Sequence, residues 1–342
     1  MEQDVEVVAR VLRSGYICSG KEVRAFEEEF AAEFGKPGWD GVAVSSGTAA
    51  IYLVLRCLAI GPGDTVLIPT YVCTALLHAI SMARADALLA DVRGTDFNLD
   101  PDCVARVSDD RLKAIILPHT YGVPSDPTRL EAMGVPVIED CAQAVGGRFG
   151  GQPVGSLSSM SVFSFYATKP MTCGQGGMVL GSQEACETIR DIRDYDGKRE
   201  LRPRFNFQMT DFQAALGRSQ LKRLGGFVAR RRETAQMYRS SLPESIACQE
   251  ALPGAESNHF RFVIRLQQVS EARKRLETQG IRTIVPTESW ELLHRQMGRA
   301  PEGFPVAEEL ARTTLSLPIQ PSLQDAERER VALALRSLED VK

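Results

Sequence analysis

The feature that most constrains the fold is a series of short, almost wholly apolar runs between about residues 41 and 181. Each of these runs is accompanied by stretches whose apolar residues recur with helical spacing. Strands that are apolar on both faces are typical of a parallel sheet covered by helices on both sides. The chain is therefore predicted to have an α/β fold with one large, mostly parallel sheet. The predicted strands are 42–44, 65–69, 87–91, 114–118 and 135–140.

Helical patterns precede and follow this region. Two helices are predicted at 4–14 and 21–34, the second from apolar residues at three- and four-residue spacing. Residues 210–240 also have a mainly helical pattern, with a break or kink predicted at Gly225-Gly226. The helices after the first two strands are predicted at 47–59 and 72–83.

The pattern changes after residue 240. Residues 259–264 alternate like a strand, 269–279 form a charged amphipathic helix, and a final helix ends near residue 338. With 342 residues, the chain is also too long for a single small core. Two domains are therefore predicted. Residues 1–240 form a large domain with the sheet and the N-terminal helices, and residues 241–342 form a smaller α+β domain.

Composition argues against several classes of protein. The formal net charge of -4 disfavours a nucleic-acid binder, which usually has a basic excess. No apolar stretch approaches membrane-spanning length, and the acidic start at residues 1–4 is unlike a signal peptide. The eight cysteines are dispersed and the four histidines are scattered, so neither disulfides nor structural zinc is expected. We expect a cytoplasmic protein that binds no nucleic acid, membrane or metal.

Lys169 and Asp140 have the clearest chemical potential. Asp140 ends one predicted strand, and Lys169 follows the apolar, aromatic run at 163–166. A lysine in such a place can form a Schiff base with pyridoxal phosphate, and a carboxylate can keep the pyridine nitrogen protonated so that the ring accepts electrons. Taken singly, each also has an ordinary interpretation. Most lysines are solvated, and an aspartate after a strand commonly caps the next turn.

Small hydroxyl residues mark a candidate phosphate site. The stretch Ser45-Ser46-Gly47-Thr48 lies between a predicted strand and a predicted helix, and Ser164 lies shortly before the lysine. A helix start offers unpaired N–H groups and a partial positive charge, which both suit a phosphate. Serine and threonine in this place also serve as ordinary N-caps. Gln143, three residues after Asp140, can hydrogen-bond a cofactor hydroxyl or simply line a loop.

These signals coincide in order and spacing with the pattern of one family. The matching stretches are 46–50, 63–66, 69–71, 119–122, 139–144, 164–169, 176–179, 205–207 and 213–217. On these stretches, from about Gly20 to Leu338, the chain resembles the DegT-like nucleotide-sugar aminotransferases. These are pyridoxal-phosphate enzymes of the aspartate-aminotransferase fold.

The resemblance implies a fold-type I transferase, with a seven-stranded, mostly parallel sheet flanked by helices and a smaller α+β C-terminal domain. It implies that Lys169 carries the Schiff base and moves protons, and that Asp140 pairs with the pyridinium nitrogen. An asparagine of the partner subunit reaches the phosphate in this family, and Asn206 matches it, so a homodimer with shared active sites is implied. The other implied cofactor contacts are Gln143 at the ring hydroxyl, Tyr71 on one ring face, and Gly47, Thr48 and Ser164 at the phosphate.

By the same resemblance, the predicted function is amino transfer from L-glutamate to a keto sugar, typically nucleotide-linked, for amino-sugar biosynthesis. Segment 284–290 departs from the family pattern, so a cyclitol or another small ketone stays open as the acceptor. A basic loop that includes Arg193 and Arg204 either binds the diphosphate of a sugar nucleotide or forms a solvated surface balanced by acids.

Two other functions are compatible with the same scaffold. Sugar dehydratases related to these aminotransferases tend to replace the cofactor lysine with histidine, and the presence of Lys169 argues against that function. A catalytically idle cofactor-binding or regulatory protein is also compatible, because fold does not fix function. The retention of Lys169, Asp140, Gln143 and Ser164 argues for an active enzyme instead.

Overall fold

The computed structural model describes residues 2–339. Met1 and residues 340–342, which the two predicted domains include, lie outside the described residues. The described chain is an α/β structure whose largest sheet has seven strands, so the predicted fold class is confirmed. In the same part of the chain, no helix is long and apolar enough to cross a membrane.

The α-helices of the described chain vary from single turns to the 18 residues of the longest one. They are α1 (Glu2–Ser14), α2 (Lys21–Phe34), α3 (Gly47–Cys57), α4 (Ala75–Met82), α5 (Pro101–Val107), α6 (Thr128–Glu131), α7 (Gln183–Arg193), α8 (Asp211–Leu221), α9 (Leu224–Ser241), α10 (Val269–Thr278), α11 (Leu293–Gln296), α12 (Pro305–Thr313) and α13 (Asp325–Arg336).

The strands form one seven-stranded and two three-stranded sheets. They are β1 (Asp40–Val44), β2 (Thr65–Pro69), β3 (Asp86–Ala90), β4 (Leu112–Pro118), β5 (Val137–Asp140), β6 (Arg148–Phe149), β7 (Gln152–Pro153), β8 (Met160–Ser164), β9 (Gly177–Gly181), β10 (Ala247–Cys248), β11 (Ala255–Glu256), β12 (Phe262–Arg265) and β13 (Thr314–Leu317).

The large sheet has the strand order β1-β9-β8-β5-β4-β2-β3. Strands β3, β2, β4, β5 and β8 pair in parallel, whereas β9 runs antiparallel to both β8 and β1. Every residue of β2, β5, β8 and β9 is buried, because helices cover both faces of the sheet. The carboxyl ends of β1, β2, β4, β5 and β8 therefore meet at one edge of the sheet.

Helix α2 packs its phenylalanine stripe against strand β8. The ring centroid of Phe30 lies 4.8 Å from that of Phe163 and 5.3 Å from that of Phe165. Phe26 extends the cluster, with its ring centroid 5.2 Å from that of Phe165. Buried aromatic pairs of this kind contribute both apolar area and a preferred geometry. They fix the end of β8 and the start of the loop that follows it.

A second core forms around the sheet β10-β12-β13 and helices α9, α10 and α13. Ala235 and Tyr238 lie in α9, upstream of the predicted domain boundary, yet they pack into this core with Phe262 and Leu335. The ring centroid of Tyr238 lies 5.5 Å from that of Phe262. Helix α9 thus connects the two cores, and the division at 240/241 stays a prediction.

The break predicted at Gly225-Gly226 and the strand start predicted at residue 259 are both wrong in position. Gly225 and Gly226 lie in the first turn of α9, and the helices separate just before them, at residues 222–223. Burial of Leu224 and Val228 in the core that contains the phenylalanine cluster of α2 and β8 keeps that turn helical, despite a cost of about 1 kcal/mol for each glycine. The strand predicted from residue 259 begins only at residue 262, because His259 has a φ of 50° and cannot continue a ladder.

Candidate active site

A cavity of about 440 Å³ lies at the edge of the sheet where β2, β4, β5 and β8 end. Its walls include the loops after these strands, the start of α3, and the segments 260–261 and 286–287. Ligands of open parallel sheets bind at this edge. The structure brings together here the predicted residues Gly47, Thr48, Tyr71, Asp140, Gln143, Ser164 and Lys169.

One wall of the cavity is the start of helix α3. The Oγ of Ser46 accepts a hydrogen bond from the N–H of Ala49 at 3.1 Å, so Ser46 is an N-cap. The N–H groups of Gly47 and Thr48 belong to the first turn and have no intrahelical acceptor. A Cβ added to Gly47 would lie only 2.9 Å from the Cβ of Ser164, so this close approach requires glycine. The wall offers N–H donors and the positive helix end, which suit a phosphate.

Asp140 is the last residue of β5 and is 8% exposed. Its Oδ1 accepts a hydrogen bond from the N–H of Ala142 at 3.0 Å, so it also caps the turn that follows. Burial raises the pKa of Asp140, while this hydrogen bond and the charge of Lys169 oppose the rise. A cation brought next to the carboxylate would be strongly attracted, because the surroundings screen charge poorly.

Lys169 ends a turn that follows β8, where its N–H donates to the carbonyl of Tyr166 at 2.9 Å. Its Nζ lies 5.6 Å from the ring centroid of Phe260. Burial lowers the pKa of the amine, and the charge of Asp140 opposes that shift. A lowered pKa increases the neutral fraction of the amine, which is the form that attacks a carbonyl group.

Tyr71 and Gln143 also line the cavity, and both are held in place by neighbouring groups. The hydroxyl of Tyr71 lies 3.2 Å from the Oγ1 of Thr314, and its ring packs edge-on to Tyr121 at a centroid distance of 6.1 Å. The Oε1 of Gln143 accepts a hydrogen bond from the N–H of Tyr121 at 2.8 Å. Their contacts with a cofactor stay predictions.

A buried network behind Asp140 was not found by sequence reasoning. The Nδ1 of His119 accepts the N–H of Ser125 at 2.9 Å, so the ring proton is on Nε2, which donates to the Oε2 of Glu139 at 3.1 Å. His119, Glu139 and Cys141 are close enough together to hold a metal ion. However, both carboxylate oxygens of Glu139 already accept hydrogen bonds, so the group anchors the surrounding loop. Besides His119, the groups that donate to the Glu139 carboxylate are the N–H groups of Gly155, Leu157 and Ser158.

The segment 257–261 forms another wall that the sequence did not predict. The Oγ of Ser257 donates to the carbonyl of Gly122 at 2.8 Å, and the Nδ2 of Asn258 donates to the carbonyls of Gln143 and Val145 at 3.0 and 2.9 Å. A Cβ added to Gly122 would lie 1.9 Å from the Oδ1 of Asn258, so the contact requires glycine. The segment also places Phe260 and Arg261 in the cavity. The sequence signal for this wall was the single charge of Arg261 inside the apolar run 260–264.

Three predicted residues do not line the cavity, namely Arg193, Arg204 and Asn206. Arg193 donates through Nη1 to the Oε1 of Glu27 at 2.8 Å and to the carbonyl of Ala43 at 2.6 Å. Arg204 donates through Nε and Nη2 to the two carboxylate oxygens of Asp191, both at 3.1 Å. Within one protomer, both guanidinium groups thus hold the local structure, and their role in substrate binding stays a prediction.

The cavity residues fit pyridoxal phosphate. The helix start and the glycine-dependent approach of Ser164 provide a cradle for the phosphate. The partly buried amine of Lys169 and the buried carboxylate of Asp140 provide the two groups that the aldehyde and the ring nitrogen require.

Comparisons with known proteins agree with this fit. A sequence model of the DegT/DnrJ/EryC1/StrS aminotransferase family matches residues 1–336. The chain is 36% identical over 343 residues to the erythromycin biosynthesis sensory transduction protein EryC1 of Saccharopolyspora erythraea, with 96% of this chain and 93% of that protein covered. It is 35% identical over 346 residues to the dTDP-3-amino-3,4,6-trideoxy-alpha-D-glucose transaminase of Streptomyces venezuelae, with 96% and 90% covered. The crystal structure of S. venezuelae DesV in complex with a ketimine intermediate matches with a TM-score of 0.93 and 32% identity, over 100% of this chain and 95% of that one.

Proposed function

Because the chain belongs to the DegT/DnrJ/EryC1/StrS aminotransferase family, whose cofactor is pyridoxal phosphate, we propose that it transfers an amino group from L-glutamate to a nucleotide-linked keto sugar in amino-sugar biosynthesis. One observation carries the proposal: a partly buried amine, a buried carboxylate and a helix N-terminus line a single cavity. The S. venezuelae relative named as a dTDP-sugar transaminase supports the class of acceptor.

Each cavity residue has a role in this proposal. When bound, the cofactor supplies an aldehyde with which amines condense and a ring that withdraws electrons. The start of α3 and Ser164 hold its phosphate. Asp140 holds the positive charge at the ring nitrogen, and Gln143 donates to the ring oxygen. Lys169 would hold the aldehyde group of the cofactor, and its amine would take and return the proton at the substrate carbon.

The proposal includes a homodimer with shared active sites. Asn206 is exposed and lies outside the cavity of its own protomer, in an isolated bridge with Asp194. Nearby, Tyr195 is 60% exposed and Leu201 is fully exposed. Large exposed apolar side chains are typical of a contact surface, and a partner there would bring Asn206 to the second site. The described chain has only free cysteines, which supports a reducing, cytoplasmic location.

The direct test is the substitution Lys169→Ala. Wild-type protein with added cofactor should absorb near the visible region, and L-glutamate should bleach that band. The variant should lack the band, and its conversion of donor should fall by at least about 100-fold, because the acid–base group is lost. Lys274→Ala, which removes an exposed lysine from α10, is the matched control and should keep both properties.

The acceptor is tested with a panel of keto compounds, with products measured by mass. The panel contains dTDP- and UDP-linked keto sugars, the corresponding free keto sugars and a cyclitol ketone. Amination of a nucleotide-linked member at the lowest concentration supports the proposal. Preference for the cyclitol ketone would mean that the acceptor is a cyclitol and not a nucleotide-linked sugar. A wild type that stays colourless with the cofactor would contradict the enzymatic function itself.

A further inference from the structure

Arg261 lies inside the cavity, at a position that no role described above accounts for. Its Cζ lies 5.4 Å from the ring centroid of Phe260 and 5.8 Å from that of Tyr121, so two aromatic rings flank the guanidinium group. The Nζ of Lys169 lies 5.6 Å from the centroid of the same Phe260 ring, so the guanidinium group and the amine are neighbours around one aromatic side chain.

Arg261 lacks the protein partners that other buried arginines have. Its Nε is buried and unpaired, and within residues 2–339 its side chain forms neither a hydrogen bond nor an ion pair. Arg193, Arg231 and Arg328 also have an unpaired buried Nε, but each donates through an Nη atom to an acceptor in the protein. A partly buried cation without an acceptor is costly in free energy, so its presence indicates an anion that arrives with a ligand.

The backbone holds this cation in a fixed place. The N–H of Arg261 donates to the carbonyl of Tyr121 at 3.2 Å, and the N–H of Phe260 donates to the Oδ1 of Asn258 at 2.9 Å. Tyr121 itself has a φ of 56°, a left-handed conformation that persists only where its surroundings enforce it. A binding group that is rigid before the ligand arrives loses little entropy on binding.

The closeness of Arg261 to Lys169 indicates which of the anions that enter the cavity Arg261 binds. The cofactor phosphate belongs at the start of α3, on a different wall. The diphosphate of a sugar nucleotide is separated from the reacting carbonyl carbon by the sugar ring. The α-carboxylate of an amino acid, in contrast, is bonded to the carbon that carries the reacting nitrogen, and it must lie next to the lysine. A planar guanidinium fork matches a carboxylate through two parallel hydrogen bonds.

We propose that Arg261 binds the α-carboxylate of the amino donor through such a bidentate pair. The assignment rests on the proposed function, and it names the residue that selects an α-amino acid as donor. The keto acid that leaves keeps the same carboxylate, so Arg261 also holds the product of the first half-reaction until the second substrate replaces it.

The test follows the donor half-reaction alone, by the bleaching of the cofactor band, in wild type, Arg261→Met and Arg261→Lys. In Arg261→Met, the L-glutamate concentration for half-maximal conversion should rise roughly 10- to 100-fold, the usual effect of losing a charge-assisted hydrogen-bond pair. Arg261→Lys keeps the charge without the fork and should give a smaller rise. Exposed Arg282→Met is the matched control and should behave as wild type.

Two further measurements distinguish the class of anion. Calorimetric binding of 2-oxoglutarate to the cofactor-loaded protein should weaken in Arg261→Met, which tests the site without turnover. L-glutamine has the same α-carboxylate but a neutral side chain. Its concentration for half-maximal conversion should rise in Arg261→Met by the same factor as that of L-glutamate. A loss confined to L-glutamate would assign Arg261 to the side-chain carboxylate and overturn the proposal.

The acceptor half-reaction completes the design. Starting from the aminated form of the cofactor, the keto-sugar nucleotide concentration for half-maximal conversion should be unchanged in Arg261→Met. A rise there, with unchanged donor affinity, would assign the residue to the diphosphate and overturn the proposal. A wild type that L-glutamate fails to bleach contradicts the proposed function instead, so the two failures are distinguishable.

Discussion

His259 gives a residue-scale prediction for pH. Burial lowers its pKa to about 4 from 6.5, and the charges of Arg239, Arg232 and Arg231 act in the same direction. Since the unfolded chain binds the proton more readily, the stability conferred by neutral His259 is fully present above pH 6.5. It is lost as pH falls from 6.5 towards 4, by about 3 kcal/mol at most.

The substitution His259→Asn should remove this part of the pH dependence. Asparagine tolerates the left-handed backbone that His259 adopts, with its φ of 50°. Urea unfolding of both proteins at pH 7.5 and pH 5 gives the measurement. The difference in free energy of unfolding between them should shift in favour of the variant at the lower pH. Parallel pH profiles for the two proteins would contradict the prediction.

The site residues at the strand ends were predictable from the sequence. Lys169, Asp140 and Ser164 all lie at or just after the ends of apolar strands, and the geometry of a parallel sheet brings such residues to one edge. Arg261 and Asn258 come from a segment that joins this edge through tertiary hydrogen bonds, which no local pattern encodes. Chemical type and spacing therefore predicted the strand-end residues, whereas the wall formed by segment 257–261 required the structure.

At the scale of elements, periodicity predicted the helices whose apolar stripe faces one core. The predicted helix 21–34 coincides with α2, because Phe26, Phe30 and Phe34 all pack on one side. Boundaries were less predictable where tertiary contacts decide them. The helix predicted from residue 72 begins at Ala75, after a loop that contributes to the cavity, and the helix break near Gly225 lies upstream of the glycines.

The N-terminus of α2 gives a prediction at this scale. Asp211, which is 2% exposed, accepts hydrogen bonds through Oδ1 from the N–H groups of Gly20 and Val23, at 2.8 and 3.0 Å. A residue of α8 thus caps α2 from a distant part of the chain. Asp211→Ala should lower the free energy of unfolding by about 2–3 kcal/mol, because it leaves two N–H groups without an acceptor.

Two comparison variants keep this measurement interpretable. Asp211→Asn keeps an acceptor oxygen and loses only the charge, so chemical denaturation should give it a smaller loss than Asp211→Ala. Glu329→Ala, at an exposed site on α13, should stay within about 0.5 kcal/mol of wild type. Equal losses for the alanine and asparagine variants would mean that the charge alone stabilises the helix start.

At the scale of the whole molecule, the proposed shared site allows a complementation test. Asn206→Ala and Lys169→Ala proteins should each be nearly inactive, since each lacks one contribution to the site. In a mixed dimer, the intact Lys169 of one chain would meet the intact Asn206 of the other, which restores one of the two sites. Mixing equal amounts after mild dissociation should therefore recover up to about a quarter of wild-type activity, because half of the dimers are mixed.

The control for this experiment is mixing without dissociation, which should recover nothing. If Asn206 acts within its own chain, or not at all, mixed dimers will show no gain over the separate variants. Sedimentation of the wild type should independently give the mass of two 37.5 kDa chains. A monomer that is fully active would contradict the shared site.

The wall that closes the cavity also has a consequence for biosynthesis on the ribosome. The hydrogen bond between Ser257 and Gly122 joins residues that are 135 positions apart, and Asn258 inserts next to the same glycine. A nascent chain therefore exposes the sheet edge, with its lysine and aspartate, long before translation reaches the segment that covers it. If the cavity binds vitamin B6 as proposed, it can be completed only after synthesis has passed residue 261, and products that terminate earlier would leave that edge open to chaperones and proteases.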